Sequence, residues 1–305
     1  MLIVSEEDVE RLLDPAELRA AMHTALVDLS GGRVTQPVRT VVRVAEHDGW
    51  FGLMPAVYQN VVGAKLVTVF PGNSVRALHT HNATIQLFRA DTGEPLAVMG
   101  GRVITALRTA AVSALATEQL ARSDARVLAI LGSGVQARTH YDALKLIRSF
   151  SEVRVWSRTP EHATRLAKEI DARAMSAEEA VRGADVIVTA TNSAAPILRG
   201  EWLKGGAHVN AIGAIGPQPR EIDDRAMQNA AIVVESREAA LRESADIIQS
   251  GALIYAELGE LLARDKPKPQ TSITIYKSVG VAVEDLAAAK LVYEKMQQRA
   301  VSGGL

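Results

Sequence analysis

A short apolar run that ends on glycines constrains the fold of this chain more than any other segment. Val127–Leu131 is typical of a buried strand, and it ends on Gly132, Gly134 and Ala137, a Gly-x-Gly-x-x-Ala pattern that passes directly into a helical pattern. Gly132 permits a tight turn, Gly134 lets backbone N–H groups approach a diphosphate, and Ala137 keeps helix and strand close. The helix N-terminus favours an anion there. The pattern therefore predicts a dinucleotide-binding site.

The end of the next predicted strand indicates which dinucleotide this site prefers. Where an NAD-type site usually carries an acidic residue for the ribose hydroxyls, this chain has Ser157, Arg158 and Thr159. A guanidinium flanked by two hydroxyls suits a 2′-phosphate, because arginine can grip it with two parallel charge-assisted bonds. The plainer interpretation is an exposed arginine that opens a helix. We predict a preference for NADP(H), with NAD(H) possible.

Composition narrows the class of protein. A chain of 305 residues suggests about two domains. Hydrophobic and charged fractions of 48% and 23% are ordinary for a soluble enzyme, and a net charge of −1 predicts no nucleic-acid partner. The chain has no cysteine, which excludes disulfides and zinc–cysteine sites. With no signal peptide and no apolar run of about 18 residues, we expect a cytoplasmic protein without a membrane partner.

The N-terminal part of the chain predicts two helices followed by a sheet. Ser5 and Asp14 are typical N-caps, and the second helix should end before Gly31. The chain then changes to a strand-like pattern without long helices, which indicates a mostly antiparallel or mixed sheet. The predicted strands are 38–44, 50–54, 62–70, 83–88 and 96–99. An alanine-rich helix over 103–121 should lead into the glycine loop.

From residue 126 the sequence alternates strands and helices, which predicts an α/β fold with a Rossmann-type, doubly wound parallel sheet. The strands are expected at 127–131, 152–156, 186–190, 207–212, 231–234 and 272–276. A last helix over 282–299 carries an apolar stripe and should return to the first domain. We therefore predict a mixed α/β substrate and dimerisation domain from residues 1–120 and 282–305, and a nucleotide domain over 121–281.

Several stretches together resemble the ornithine cyclodeaminase/mu-crystallin family, and they keep their order over nearly the whole chain. They are Gln36-Pro37-Val38-Arg39, Gly63-Ala64-Lys65, Thr105-Ala106-Leu107-Arg108-Thr109-Ala110-Ala111, Gly132-Ser133-Gly134, Asn210-Ala211-Ile212-Gly213-Ala214, Arg220-Glu221-Ile222-Asp223-Asp224 and Lys277-Ser278-Val279-Gly280. The resemblance implies a nucleotide-binding domain plus a substrate domain made from both chain ends. It also implies a homodimer built through the substrate domain.

The resemblance implies an α-amino or α-imino acid substrate whose carboxylate is held by cations. Arg39, Lys65 and Arg108 match those positions, although Arg39 and Lys65 could simply face solvent from their strands and Arg108 could extend from a packed helix face. The resemblance also implies a set of cofactor contacts. They are Thr109, Gly132, Ser133, Gly134, Val135, Gln136, Thr191 and Ser278, besides Ser157, Arg158 and Thr159.

Two positions depart from the family pattern. Cyclodeaminase-type members carry an acidic residue two positions after the counterpart of Gly213, whereas this chain has Ile215, as in the ketimine-reductase branch. Asp223 and Asp224 could replace this acidic residue, but we expect a helix that begins near Glu221 to turn their carboxylates away. The second departure is Gly100, in Met99-Gly100-Gly101, where many members have Met-Asp-Gly. The sequence gives no consequence for this second departure.

A pair of histidines, His79 and His81, has two interpretations. His81 resembles a histidine of the reductase branch and could donate a proton or orient substrate, or it could be an ordinary loop residue before a strand. Two histidines at this spacing without a third ligand are poor support for zinc, and we predict no metal site.

Together these patterns predict an NADPH-dependent imine reductase that acts on an α-imino acid, such as the cyclic ketimines pyrroline- or piperideine-2-carboxylate. Lys65 is the candidate proton donor, since neighbouring cations lower an ammonium pKa, and His81 is the reserve. An open-chain imino-acid reductase or alanine-type dehydrogenase is the alternative, and Arg76 could hold the second carboxylate of iminosuccinate. Less favoured are an ornithine cyclodeaminase and a non-catalytic protein that binds NADPH and a small ligand.

Overall fold

The chain folds into two units, and the first of them is made from both of its ends. In this computed structural model, residues 1–216 and 218–302 are described. Unit 1 comprises Met1–Arg108 and the chain from Val281 onward, and unit 2 comprises Thr109–Gly280. The last three residues of the predicted range 282–305 lie outside the described part. The roles predicted for the two domains stay predictions.

Unit 1 is a mixed sheet with helices on one face. Its strands are β1 (Leu2–Val4), β2 (Val34–Thr35), β3 (Thr40–Val44), β4 (Gly49–Tyr58), β5 (Val61–Val69), β6 (His81–Arg89) and β7 (Pro95–Gly100). The order is β1-β7-β6-β5-β4-β2, with β3 also paired to β4. Only β1 and β7 pair in parallel, and the remaining pairs are antiparallel. The predicted mixed sheet is confirmed.

The helices of unit 1 are α1 (Glu6–Leu12), α2 (Pro15–Ser30) and α11 (Ala282–Ser302). Their starts follow from local chemistry, since the side chains of Ser5 and Asp14 accept backbone N–H groups of α1 and α2 as N-caps. The last helix packs on α2 and on strands β4, β5 and β6. Alternate residues of these strands point inward, so one face of the sheet is buried and the other stays partly exposed.

A long helix, α3 (Arg102–Leu120), carries the chain from unit 1 into unit 2. Unit 2 has strands β8 (Val127–Leu131), β9 (Glu152–Trp156), β10 (Arg173–Ala174), β11 (Val186–Thr189), β12 (His208–Ala211), β13 (Ala231–Val234), β14 (Ile254–Glu257) and β15 (Thr274–Lys277). Its remaining helices are α4 (Val135–Lys145), α5 (Pro160–Glu169), α6 (Ala177–Val181), α7 (Asp224–Gln228), α8 (Arg237–Glu243), α9 (Ala245–Ser250) and α10 (Leu258–Leu262).

The sheet of unit 2 is parallel throughout, in the order β10-β9-β8-β11-β12-β15-β13-β14. Strands β11, β12, β13 and β15 are buried along their whole length, as expected for strands covered on both faces. Their aliphatic side chains form one core together with those of neighbouring helices. The predicted doubly wound α/β sheet is confirmed.

Several boundaries differ from the predicted ones. The strand expected at 272–276 lies at Thr274–Lys277, which places a lysine inside the sheet. The helix expected near Glu221 begins only at Asp224, so that prediction was wrong. Asp223 is the N-cap of this helix, because its carboxylate accepts the N–H of Ala226. Glu221 therefore lies before the helix, where it is completely buried.

Candidate active site

Unit 1 contains a buried group of opposite charges. Lys65 lies on the inner face of β5, opposite Met54 and Ile85, and is 2% exposed. Its ammonium pairs with Asp285, with Nζ and Oδ2 2.6 Å apart. Asp285 and Glu284 are in the first turn of α11 and are fully buried. Strand β5 and helix α11 thus bring opposite charges together in the interior of unit 1.

Arg108, near the middle of α3, completes this group. Its Nη1 donates to Glu284 Oε2 at 2.6 Å, and its Nε donates to Asp285 Oδ1 at 3.0 Å. Asp285 therefore bridges Lys65 and Arg108, one with each carboxylate oxygen. We call Lys65, Arg108, Glu284 and Asp285 the charge cluster. Charges at this depth are retained only when they are paired and hydrogen-bonded, as these are.

The charge cluster shifts the pKa values of its members. Burial lowers the pKa of Lys65 to about 8, and the charges of Arg108 and Arg39 act in the same direction, whereas Asp285 opposes the shift. Burial by itself would raise the pKa of Asp285, but Arg108 and Lys65 outweigh it and hold that pKa below its ordinary value. At neutral pH the result is a carboxylate beside an ammonium that can give up its proton.

The other two predicted residues of unit 1 lie within reach of these charges. Arg39, between β2 and β3, is half-buried, and its charge acts on Lys65. His81 opens β6, and burial, followed by the charges of Lys65 and Arg108, lowers its pKa to about 4. A neutral imidazole can orient a substrate but is a poor acid at pH 7, which favours Lys65 as the proton donor. By contrast, Arg76 is exposed in a short 3₁₀ turn.

The acidic members of the charge cluster were missed by the sequence interpretation. Glu284 and Asp285 look like ordinary first-turn acids that complement a helix dipole. Their signal is their position in a run that is otherwise almost entirely apolar, between Val281 and Ala289. Two carboxylates in such a run require buried cations, and the sequence supplies them in Lys65 and Arg108.

The structure also accounts for Gly100. A Cβ atom at this position would stand 2.5 Å from Cδ of Glu6. The two carboxylate oxygens of Glu6 accept the N–H groups of Arg102 and Val103, each at 2.9 Å. Glu6 therefore fills the space of a side chain at position 100 and caps α3, the helix that carries Arg108.

The glycine loop of unit 2 fits a diphosphate. Gly132 has φ +134°, and a Cβ there would stand 2.4 Å from the carbonyl oxygen of Ala190. A Cβ at Gly134 would meet nothing within 4 Å, so this side of the loop is open. Helix α4 begins at Val135 without a side-chain cap, and Ala137 is fully buried against the strand. The first-turn N–H groups of α4 form the cradle for an anion.

The predicted 2′-phosphate residues lie beside this loop. Ser133 Oγ and Ser157 Oγ are hydrogen-bonded at 2.8 Å, which joins the glycine loop to the end of β9. Arg158 is exposed, and Thr159 is the N-cap position of α5 without a side-chain hydrogen bond. A groove of about 280 Å³ adjoins the loop. It is lined by Ser133, Gly134, Val135, Arg138, Thr139, His162, Arg165, Leu166 and Glu169, and Arg138 forms an ion pair with Glu169.

The remaining predicted cofactor residues lie elsewhere in unit 2. Thr109 is buried in α3, and Gln136 is half-buried in the first turn of α4. Thr191 follows β11, at the edge of the sheet where the strands have their carboxyl ends. Ser278 follows β15 and donates to buried Glu235 at 2.5 Å. Glu235, which sequence interpretation missed, also accepts from Tyr276 OH and from the N–H groups of Val279 and Gly280.

Two of the predictions concern a metal site and a membrane span. In residues 1–216 and 218–302, no three His, Asp or Glu side chains are grouped closely enough to hold a metal ion. Over the same residues, no helix is both long and apolar enough to cross a membrane. The predicted cytoplasmic location stays a prediction.

Comparisons with known proteins agree with the resemblance. Residues 1–300 match the model of the ornithine cyclodeaminase/mu-crystallin family. The ketimine reductase mu-crystallin of Mus musculus is 49% identical over 298 residues, which are 95% of each chain. A Delta(1)-pyrroline-2-carboxylate reductase of Bacillus cereus is 36% identical over 320 residues, covering 99% of this chain and 98% of the relative.

A solved structure agrees over the same length. It is the Delta(1)-pyrroline-2-carboxylate reductase of Thermococcus litoralis in complex with NADH and L-proline, with a TM-score of 0.93 and 35% identity. The match covers 98% of both chains. The chain described here belongs to the ornithine cyclodeaminase/mu-crystallin family.

Proposed function

We propose that this protein is a nicotinamide-dependent imine reductase that converts an α-imino acid, of the cyclic ketimine type, into the amino acid. The charge cluster is the observation that carries the proposal. It combines a buried ammonium of lowered pKa with a guanidinium, and both are held by carboxylates. The ketimine reductase and pyrroline-2-carboxylate reductase relatives support the same reaction class.

The substrate carboxylate is bound by Arg108, Lys65 and Arg39. Within the charge cluster, the positive charges of Lys65 and Arg108 are matched by the carboxylates of Glu284 and Asp285. Arg39 adds a further positive charge that is felt at Lys65. Charge-assisted hydrogen bonds from such cations to a substrate carboxylate are strong. Fixing the carboxylate fixes the C=N carbon, and such positioning lowers a barrier by several kcal/mol.

A reduced nicotinamide, when bound, supplies the hydride that the imine carbon accepts. Lys65 Nζ donates a proton to the imine nitrogen, so that the C=N bond becomes CH–NH and the product is an amino acid. Asp285 holds the ammonium by its Oδ2 and stabilises the charged form before the transfer. His81 is neutral at pH 7 and contributes a hydrogen bond rather than a proton.

The cofactor is held by unit 2, with its diphosphate on the glycine loop and the start of α4. We propose NADPH as the preferred form. Arg158 and the hydroxyls of Ser157 and Thr159 suit a 2′-phosphate, and no acidic side chain stands among them. Arg165 also lines the groove beside this loop. Since the Thermococcus relative was solved with NADH, the preference rests on this chain's own residues.

Ile215 stands where a cyclodeaminase is expected to have an acidic residue. Ile215 is 44% exposed in the turn after β12, and it offers neither charge nor hydrogen-bond acceptor to a distal ammonium. Position 215 therefore supplies no partner for an ammonium, and desolvating an ammonium without a partner costs roughly several kcal/mol. We therefore propose reduction of a cyclic ketimine and no conversion of ornithine to proline.

We also propose a homodimer formed through the sheet of unit 1. The face of the sheet turned away from α2 and α11 exposes aliphatic side chains at the edge formed by β3 and β4. Val42 is 57% exposed, Leu53 36% and Val57 41%. Apolar patches of this kind mark interfaces, and a two-fold interface would cover the same face on both copies.

A substrate panel tests the proposed function. Cyclic and open-chain α-imino acids are supplied with NADPH or NADH, and oxidation of the cofactor is followed by absorbance. We expect the cyclic ketimines with NADPH to be fastest, and L-ornithine with NAD to yield neither ammonia nor proline. Cofactor binding without turnover of any imino acid would identify a binding protein instead. Faster turnover of iminosuccinate would favour the open-chain alternative.

A further inference from the structure

A second buried group of charges lies in unit 2, at the carboxyl ends of its strands. Glu221 is fully buried, and its Oε1 accepts both the backbone N–H and the hydroxyl of Thr191, at 2.7 and 2.6 Å. Its Oε2 accepts the hydroxyl of Thr189 at 2.9 Å. One carboxylate thus holds the end of β11 and the first turn of the loop that follows.

Glu221 is itself held in place by a buried ion pair. Asp246 Oδ1 accepts the N–H groups of Glu221 and Ile222, both at 3.0 Å. The other oxygen of Asp246 lies 3.1 Å from Lys277 Nζ, and both side chains are fully buried. Removing these groups from water is costly, so a network of this kind implies a required geometry.

Lys277 extends the network to the neighbouring loop. Its ammonium donates to the carbonyls of Gly213 at 2.6 Å and Ala214 at 3.3 Å. Ala214 has φ +53°, a conformation that costs energy for a residue with a Cβ. A Cβ at Gly213 would stand 2.1 Å from the carbonyl oxygen of Thr191, so the two loops are in contact. The network therefore fixes both loops together.

These loops occupy the place where an α/β sheet binds ligands. Thr189, Ala211 and Lys277 are the last residues of β11, β12 and β15, and they pair side by side. In open parallel sheets the ligand crevice lies just outside such strand ends. The glycine loop follows β8, which pairs with β11 on its other side.

We infer that Glu221, supported by Asp246 and Lys277, is a positioning residue that fixes Thr191 to receive the nicotinamide riboside end of the cofactor. The inference rests on the proposed function. Thr191 is partly exposed, and its hydroxyl gives its proton to Glu221 while accepting the N–H of Ser193 at 3.2 Å. With its proton directed to Glu221 and one lone pair used by Ser193, the hydroxyl of Thr191 has one lone pair left to accept a hydrogen bond from a ligand. A ribose hydroxyl or a carboxamide NH₂ is the matching donor.

The test compares whole cofactors with their adenosine halves. Glu221→Ala and Glu221→Gln are titrated with NADPH and NADH, and with 2′,5′-ADP and ADP, which lack the nicotinamide riboside. Glu221→Ala should weaken binding of the whole cofactors about tenfold, the size of one lost hydrogen bond, and leave the halves unchanged. Glu221→Gln keeps an acceptor for Thr191 and should stay within about threefold of the parent.

Asp185→Ala is the matched control, because the carboxylate of Asp185 also accepts hydrogen bonds from a neighbouring segment, but at the amino ends of the strands. It is 9% exposed and accepts the N–H groups of Arg126 and Val127 at 2.7 and 2.9 Å. This variant should have a lower melting temperature, and its affinities for the whole cofactors and for their adenosine halves should change by the same factor. Equal losses for both kinds of ligand in Glu221→Ala, or no loss at all, would overturn the inference.

If Glu221→Ala does not fold, Thr191→Val removes the same hydroxyl from the other side, and it should show the same selective loss. Unchanged cofactor binding in a folded Thr191→Val variant would equally reject the inference. A parent protein that binds neither cofactor would contradict the proposed function instead, before any variant is compared.

Discussion

The two proposed binding regions are built in different ways. The glycine loop of unit 2 binds through backbone groups of one continuous segment, in which small residues leave room for a ligand. The charge cluster of unit 1 binds through side chains that arrive from β5, α3 and α11, and Lys65 and Asp285 are 220 positions apart, from 65 to 285. A backbone site tolerates changes of neighbouring side chains, whereas a side-chain site depends on every partner. Variants in each region test this difference.

The largest effect is expected at the proton donor. Lys65→Met keeps the length of the side chain and leaves Asp285 paired with Arg108, so the protein should still fold. Loss of the acid should lower kcat by about 10²–10⁴-fold, with cofactor affinity unchanged. Steady-state rates and cofactor titration measure this, and Lys145→Met, at an exposed lysine, is the control. Parent-like turnover in Lys65→Met would place the proton donor elsewhere.

The interdependence within the charge cluster is expected to be almost as large. Arg108→Met leaves Glu284 without its guanidinium contact in a buried position, and should lower the free energy of unfolding by about 3–5 kcal/mol. Adding Glu284→Gln removes the opposite charge and should recover part of this loss. Denaturant unfolding of the two single variants and the double variant gives the coupling. Additive losses would mean that the residues do not act as a unit.

A smaller and selective effect is expected beside the glycine loop. Arg158→Asp should weaken NADPH binding by about 2–3 kcal/mol, through loss of a charge-assisted contact and new repulsion, and affect NADH much less. Fluorescence titration measures both cofactors. Arg173→Asp is the control, since this side chain is 76% exposed on the neighbouring edge strand. Equal losses for both cofactors, or a parent preference for NADH, would reject the NADPH assignment.

The pH dependence sharpens the comparison further, because the charge cluster contains an ammonium, that of Lys65, whose pKa is lowered to about 8. If protonated Lys65 is required, kcat/KM should be constant below its pKa of about 8 and fall about tenfold per pH unit above it. Asp285 raises this pKa, so Asp285→Asn should move the fall to lower pH. Rates are measured across the pH range with cofactor saturating. A profile that does not move in Asp285→Asn would separate the two residues functionally.

The smallest effect is expected at the cap of α3. Glu6→Ala removes acceptors from the N–H groups of Arg102 and Val103 and should cost about 1 kcal/mol of stability. Because Glu6 fills the space of a side chain at position 100, Gly100→Asp added to Glu6→Ala should restore the cap. Gly100→Asp alone should be destabilising through overlap with Glu6. Thermal unfolding measures the stability of all three variants. A double variant that is no more stable than Glu6→Ala would show that an aspartate at position 100 cannot replace Glu6 as the cap.

Much of the fold could be predicted because its signals are local. Runs of apolar and β-branched residues marked β4 to β9, and the caps at Ser5 and Asp14 marked the first helices. Strands β1 and β14 were missed, although other strands of only four residues, such as β13, were predicted from their apolar runs. The helix expected near Glu221 begins at Asp224. The decisive event there is the tertiary burial of one carboxylate, which no local pattern reports.

The sequence by itself determined the nucleotide-binding segment, the family and the cations of the proposed substrate site, because glycine spacing and ordered motifs lie in consecutive residues. Tertiary structure alone decided how Lys65 and Arg108 are buried and paired. Whether a lysine has an ordinary pKa or one near 8 depends on burial and on the distances to Asp285 and Arg108. The same holds for Glu221, Asp246 and Lys277, which lie far apart in the chain and interact only after folding. Electrostatic energy depends on distance and solvent exposure, and neither can be read from the order of the residues in the chain.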